Sequence, residues 1–207
     1  MTTAPETWSP PATALFGRRV VLRPVVPTDF GEWREVRRRN EAWLTRWEPK
    51  RLAGHPDVVE DRDAFTTRCN ARQRERQLGT GYGFGVFVEG RLRGEINLSS
   101  VQRGPFQSAY VGYWIDEEVA GQGYTPEAVV VVARFVFEDL RLHRLQISII
   151  PRNQASIRVV DKLQLRHEGV AARYLEINGV WEDHARYAIT AEEWEARAPE
   201  LVGAWID

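Results

Sequence analysis

The stretch from Ser108 to Leu140 constrains the fold most. It reads as a strand over Ser108–Ile115, a loop over 116–125 carrying Gly121 and Gly123, and a helix over Pro126–Leu140. The helix is the contested element, because Val129-Val130-Val131-Val132 favours a strand on propensity alone. Length and flanks decide for a helix. Pro126 suits the first helical position, where its missing N–H costs nothing. Val129, Ala133, Val136, Phe137 and Leu140 fall on one helical face, and the remaining valines imply a helix buried nearly all round. Strand, glycine loop and helix in this order outline an anion site. The first turn of a helix has unpaired N–H groups and the positive end of its dipole, and glycines let backbone approach a phosphate.

The rest of the chain supplies the partners of this unit. Residues 1–14, with Pro5, Pro10 and Pro11, read as a flexible lead-in, and 15–207 as one domain. A strand is expected over Arg18–Val25. Pro27-Thr28-Asp29 then starts a helix with Phe30, Trp33 and Val36 on its apolar face. Trp43, Leu44 and Trp47 have the spacing of a second short helix, and Asp57–Leu78 that of a longer amphipathic one ended by Gly79 and Gly81. Tyr82–Glu89 and Arg91–Ser99 form a hairpin turning at Glu89-Gly90. Downstream come a strand over Arg144–Ile150, a helix over Asn153–Leu163, and strands His167–Glu176 and Trp181–Ile189 joined at Asn178-Gly179. Thr190 and Glu193 make a capping-box pair that opens a last helix through Trp194. The sum is an α+β fold on a mixed, mostly antiparallel sheet flanked by helices.

Charge and cysteine content exclude several functions. The formal net charge of −1 gives no bulk field for nucleic acid or an anionic membrane. Cys69 is the single cysteine, so neither an intramolecular disulfide nor a Cys-rich zinc site is available, and no metal is expected. A reducing, cytoplasmic setting fits. The N-terminus lacks the pattern of a signal peptide. The longest apolar run, Ala128–Ala133, falls far short of the roughly 20 residues that span a bilayer. Arg34, Arg37, Arg38 and Arg39 are interrupted by acidic residues and read as a solvated helix face. Trp33, Trp43 and Trp47 read as core packing, with the border of an acceptor groove as the alternative. His143 is expected to pack or cap, and the neighbours Asp183 and His184 to point to opposite faces of their strand.

The glycine loop is not a dinucleotide fingerprint, which needs a third glycine where Pro126 stands, nor a P-loop, which needs a lysine that it lacks. Instead, Gly112-Tyr113-Trp114-Ile115-Asp116, followed by Gly121-Gln122-Gly123-Tyr124 and Glu127-Ala128, resembles the acetyl-CoA motif of the GNAT N-acetyltransferases. Leu142-His143-Arg144-Leu145, Asn153-Gln154-Ala155-Ser156, Lys162-Leu163 and Glu168-Gly169 add to the resemblance. It is nearest the RimJ/RimL group, acetylators of ribosomal-protein N-termini. The closing Asn178-Gly179-Val180-Trp181-Glu182-Asp183-His184 is more similar to RimJ. The likeness runs from about Phe16 to Trp194.

The resemblance implies strands that splay at the cofactor site and acetyl-CoA as the donor. It assigns Tyr113, Trp114 and Ile115 to the pantetheine arm, and Ala120, Gly121, Gln122, Gly123, Tyr124 and Thr125 to the pyrophosphate. Asn153 matches a residue that binds the pantetheine region, although it also suits a helix N-cap. Ser156 matches a serine near the cofactor sulfur, with an ordinary first-turn serine as the alternative. Departures are Ala120 in place of Arg or Gln, Thr125 in place of Gly or Ala, and Val160 where many relatives carry a tyrosine as general acid.

The acceptor side is read from strand alternation. Glu95, Asn97 and Ser99 share a face. Glu95 is the candidate base or amine binder and Asn97 a candidate acceptor-orienting residue, with a solvated strand face as the alternative. Tyr174 and Glu176 are further candidates for the channel wall, with sheet packing as the alternative for Tyr174. An α-amine, with a pKa of about 7.7–8.0, needs far less help than a lysine near 10.4, so a strong base is optional. A protein N-terminus, such as that of a ribosomal protein, is the implied acceptor. A small amine (amino sugar, polyamine or antibiotic), and a CoA-binding module without catalysis, stay open, as does monomer against homodimer.

Overall fold

A computed structural model describes residues 14–207; of the expected lead-in only Ala14 falls among them. Eight strands form one sheet: β1 (Leu15–Phe16), β2 (Val20–Arg23), β3 (Tyr82–Val88), β4 (Arg91–Gln102), β5 (Ser108–Ile115), β6 (Arg144–Ile149), β7 (Arg166–Ile177) and β8 (Val180–Thr190). Their order is β1-β2-β3-β4-β5-β6-β8-β7. Every neighbouring pair is antiparallel except β5 with β6. The helices are α1 (Phe30–Arg39), α2 (Glu41–Leu44), α3 (Arg62–Leu78), α4 (Tyr124–Arg134), α5 (Gln154–Lys162) and α6 (Ala191–Trp205). This is the mixed, mostly antiparallel α+β sheet expected.

Local chemistry explains the element ends. α3 starts at Arg62 rather than Asp57, because the Asp61 side chain accepts from the N–H groups of Asp63 and Ala64; it stops at Gly79, whose φ of 69° is left-handed. Thr190 and Glu193 form the reciprocal capping box expected at the start of α6. The valine run is helical, and α4 begins two residues before Pro126 with Gly123 at its N-cap. Val129 to Val132 are all buried. Beyond Arg134 the helix widens into a π-turn over Phe135–Asp139, where the Leu140 N–H donates to the Phe135 carbonyl.

Strand alternation divides the apolar residues between two cores. Ile96, Leu98 and Val111 join the valines of α4, with Val159 and Val160 of α5 and Trp194 of α6. On the opposite face Phe30 and Trp33 of α1 pack with Phe65 and Cys69 of α3 over Phe87 and Leu92. Trp33 is core, as expected, but it also borders the cavity described below. The arginines of α1 lie on a largely solvated face, as expected, with Arg37 the most covered, and each is also ion-paired. Arg34 and Arg38 bind Glu60, Arg37 grips Glu48 through both terminal nitrogens, and Arg39 binds Asp116. Sequence spacing could not reveal these ties, because each partner except Glu48 lies more than twenty positions away.

One interruption in the sheet positions the site. β5 pairs with β6 only from Ser108 to Tyr110, although it pairs with β4 as far as Ile115. Beyond Tyr110 the two parallel strands part. The Asp116 N–H faces β4, donating to the Arg93 carbonyl, so alternation turns the peptide groups of Val111, Tyr113 and Ile115 toward the gap.

Candidate active site

The gap opens into a cavity of about 740 Å³. Two kinds of wall meet there. Gly112 to Ile115, Ala120 to Pro126 without Gln122, and Asn153, Ser156 and Val159 of α5 form one. Trp33, Trp43, Trp47, Arg37, Arg68, Glu95 and Asn97 form the other. Of the residues expected to hold the cofactor, and of Glu95 and Asn97, only Gln122 falls outside the lining. Its side chain donates to the Glu118 carbonyl and its own carbonyl accepts from Arg19.

The glycine loop presents backbone donors. Gly121 and Gly123 have φ of 80° and 91°, conformations that other residues rarely hold. The N–H groups of Gly121 through Thr125 have no hydrogen-bond partner among the described residues, and they surround the N-terminus of α4. A cluster of unpaired N–H groups at a helix start is what a pyrophosphate requires. The N–H of Ala120 is committed to the Glu117 carbonyl, so the donors begin at Gly121.

Three residues that sequence reasoning missed hold this loop. Asp116, fully buried, accepts from Arg39, Arg93 and Asn40 and caps the short turn Glu117–Val119. These partners outweigh the cost of burial and hold its carboxyl down at about 2. Glu127, also fully buried, accepts from the N–H groups of Arg19 and Val20 and from Arg19 Nε at 2.9 Å. Arg19 then reaches the Gln122 carbonyl and stacks on Tyr124.

At α5, Asn153 is the N-cap, its Oδ1 accepting from the Ser156 N–H at 3.2 Å. The Tyr113 hydroxyl lies 3.5 Å from the Ser156 carbonyl, and burial pushes its pKa well above the usual phenol range. The Ser156 hydroxyl makes no hydrogen bond among the described residues. Val160 is in the core, so its position offers no side chain to the site.

Glu95 is buried, not solvated. Arg68 Nη2 donates to both of its oxygens, at 2.8 and 2.7 Å, and Trp114 Nε1 to Oε2 at 3.0 Å. Asn97 sits between two glycines in the register, Gly83 and Gly112. Trp43 closes the gap's rim by donating to the Ile115 carbonyl at 3.2 Å. Tyr174 and Glu176 lie elsewhere: Tyr174 packs edge-on against His184. His184 is buried and Asp183 exposed, on opposite strand faces as expected, and His143 pairs with Glu192 at 3.0 Å. Among the described residues, no helix is long and apolar enough to cross a membrane.

Comparison with known proteins agrees with this geometry. The sequence profile of the acetyltransferase (GNAT) domain matches residues 19–166. The chain is 33% identical to the probable N-acetyltransferase YjcK of Bacillus subtilis, over 84% of this chain and 96% of that protein. It is 30% identical to the [ribosomal protein uS5]-alanine N-acetyltransferase of Escherichia coli, over 89% and 94%. Among solved structures, Mycobacterium smegmatis RimJ in complex with CoA-disulfide superposes with a TM-score of 0.83 at 30% identity, covering 92% of each chain. The profile spans the strand, the glycine loop and the helix that frame the cavity, and with these likenesses it establishes that the chain belongs to the GNAT family of N-acetyltransferases, in the RimJ/RimL group.

Proposed function

We propose that this acetyltransferase acetylates the N-terminal amine of a protein, with a ribosomal protein as the substrate class. The acyl donor is acetyl-CoA. The observation that carries the reading is the cavity itself. It joins the open edge of β5 and the unpaired donors of Gly121–Thr125 to a wall of tryptophans around Glu95 and Asn97. The alanine N-acetyltransferase relative, similar over most of both chains, supports the choice of acceptor.

Acetyl-CoA supplies an acyl group activated as a thioester. Val111, Tyr113 and Ile115 offer peptide groups to an extended arm. Gly121–Thr125 neutralise phosphate charge through N–H donors and the α4 dipole. Glu95 Oε1 accepts one hydrogen bond from Arg68 and retains capacity for an N–H of the acceptor amine, which Asn97 helps orient. An α-amine is partly neutral near pH 7, so its proton can leave through water. The amine nitrogen bonds to the acetyl carbon as the C–S bond breaks; Ser156 donates a hydrogen bond to the departing sulfur, and the proton lost by nitrogen reaches the thiolate through water. The buried Tyr113 phenol keeps its proton and steadies the first turn of α5 through the Ser156 carbonyl.

Thiol release from acetyl-CoA should be measured with peptides that begin with alanine, and with polyamines and amino sugars. Turnover with the peptides is expected. Turnover with small amines alone would replace the acceptor assignment, and tight CoA binding without turnover of either would remove the catalytic one.

A further inference from the structure

A second pocket, of about 220 Å³, opens beside the acceptor wall. It lies between Pro24–Pro27 and α3, with Gly83 of β3 at its floor, and shares Arg68, Arg72, Glu95 and Asn97 with the main cavity. Arg68, Arg72 and Arg76 recur every four residues on α3 and so form one row along its inner face. Three guanidinium groups and one carboxylate therefore line the pocket. Arg68 is matched with Glu95, and Arg72 binds Glu75 on the outer side.

Arg76 is different. It is 7% exposed, forms no ion pair among the described residues, and leaves Nη1 without a hydrogen-bond partner. Its contacts are the Gly83 carbonyl, 3.3 Å from Nη2, and the rings of Phe84 and Tyr82. A buried cation without an anion is costly, and aromatic faces compensate it only in part. Gly83 has an ordinary backbone conformation, and its lack of a side chain admits two other residues of the lining. A Cβ there would sit 2.9 Å from Asn97 Oδ1 and 3.4 Å from Arg72 Cδ, so a side chain at 83 would displace both.

We propose that this pocket is a carboxylate subsite, with Arg76 as its cation, that takes an acidic side chain near the acceptor's N-terminus. A guanidinium pairs with a carboxylate through two parallel hydrogen bonds from two of its nitrogens; here buried Nη1 donates to nothing and Nη2 only to the Gly83 carbonyl. The link to the acceptor rests on the proposed reading of the main cavity. The carboxylate site itself does not.

Two measurements separate the two claims. In the first, N-acetylglutamate is titrated calorimetrically into the wild type, Arg76→Met and Gly83→Ala, each checked for native circular dichroism. Saturable binding by the wild type, weakened about tenfold or more in both variants, is expected for a charged hydrogen bond in a confined pocket. Absence of binding up to about 10 mM, or equal binding in Arg76→Met, overturns the carboxylate site. In the second, alanine-starting peptides with Glu or Gln at the next three positions are compared as acceptors. A preference for Glu in KM that vanishes in Arg76→Met and partly survives in Arg76→Lys is expected. Peptide turnover with no such preference overturns the acceptor link. If only small amines are acetylated, the N-terminal reading fails while the titration still decides the site.

Discussion

Arg19 and Glu127 meet at 2.9 Å across 108 positions of sequence, and the same guanidinium lies 3.0 Å from the carbonyl of Gln122. One ion pair thus ties the start of β2 to the first turn of α4 and to the loop before it. Glu127 is fully buried, so removing its charge leaves the Arg19 and Val20 N–H groups and the guanidinium without their acceptor. Glu127→Ala is expected to cost about 2–4 kcal/mol of stability, read by urea denaturation, and to weaken CoA binding. Unchanged stability would mean that the loop is held by other contacts.

Gly123→Val tests the loop directly. Its φ of 91° excludes a β-branched residue, and a Cβ would lie 3.1 Å from Arg19 Nη2 and 3.5 Å from Trp205. CoA affinity measured by calorimetry is expected to fall by about tenfold or more, with circular dichroism close to wild type. Wild-type affinity in a folded variant would remove the pyrophosphate assignment.

Ser156→Ala separates chemistry from binding. If the hydroxyl serves the departing sulfur, kcat should drop by about 10–100-fold with the acetyl-CoA KM nearly constant. Equal changes in both would assign Ser156 to binding alone.

Acid should loosen the loop through Asp116. Its carboxyl is held at about 2 in the folded chain, below the roughly 3.9 of an unfolded aspartate, so folding favours the ionised form. That contribution is complete above about pH 4 and is lost as the pH falls toward 2. Asp116→Asn should be less stable near neutrality and lose less stability across that window. Parallel wild-type and variant curves between pH 4 and 2 would show that Asp116 contributes nothing there.

The motif residues were legible because their signals are local. Gly121 and Gly123 announce positive φ, Pro126 marks a helix start, and Thr190 with Glu193 spells a cap within four positions. Glu95 and Asn97 were placed on one strand face by alternation alone, and both border the cavity. What Glu95 touches was not legible, because Arg68 belongs to another element 27 positions away. The partners of the α1 arginines were hidden for the same reason. A solvated charge run does not show, along the chain, the acidic residues that the fold brings to it from a distance.

Most elements, their order and the positive-φ glycines of the loop could be read along the chain, since hydrophobic period, proline, glycine and capping residues act within one turn or one strand pair. The folded chain alone reveals where β5 leaves β6, which buried acids hold the loop, and that Arg76 lies over aromatic rings without an anion. Those features depend on strand register and on side chains meeting across the fold, and neither leaves a periodic trace along the chain.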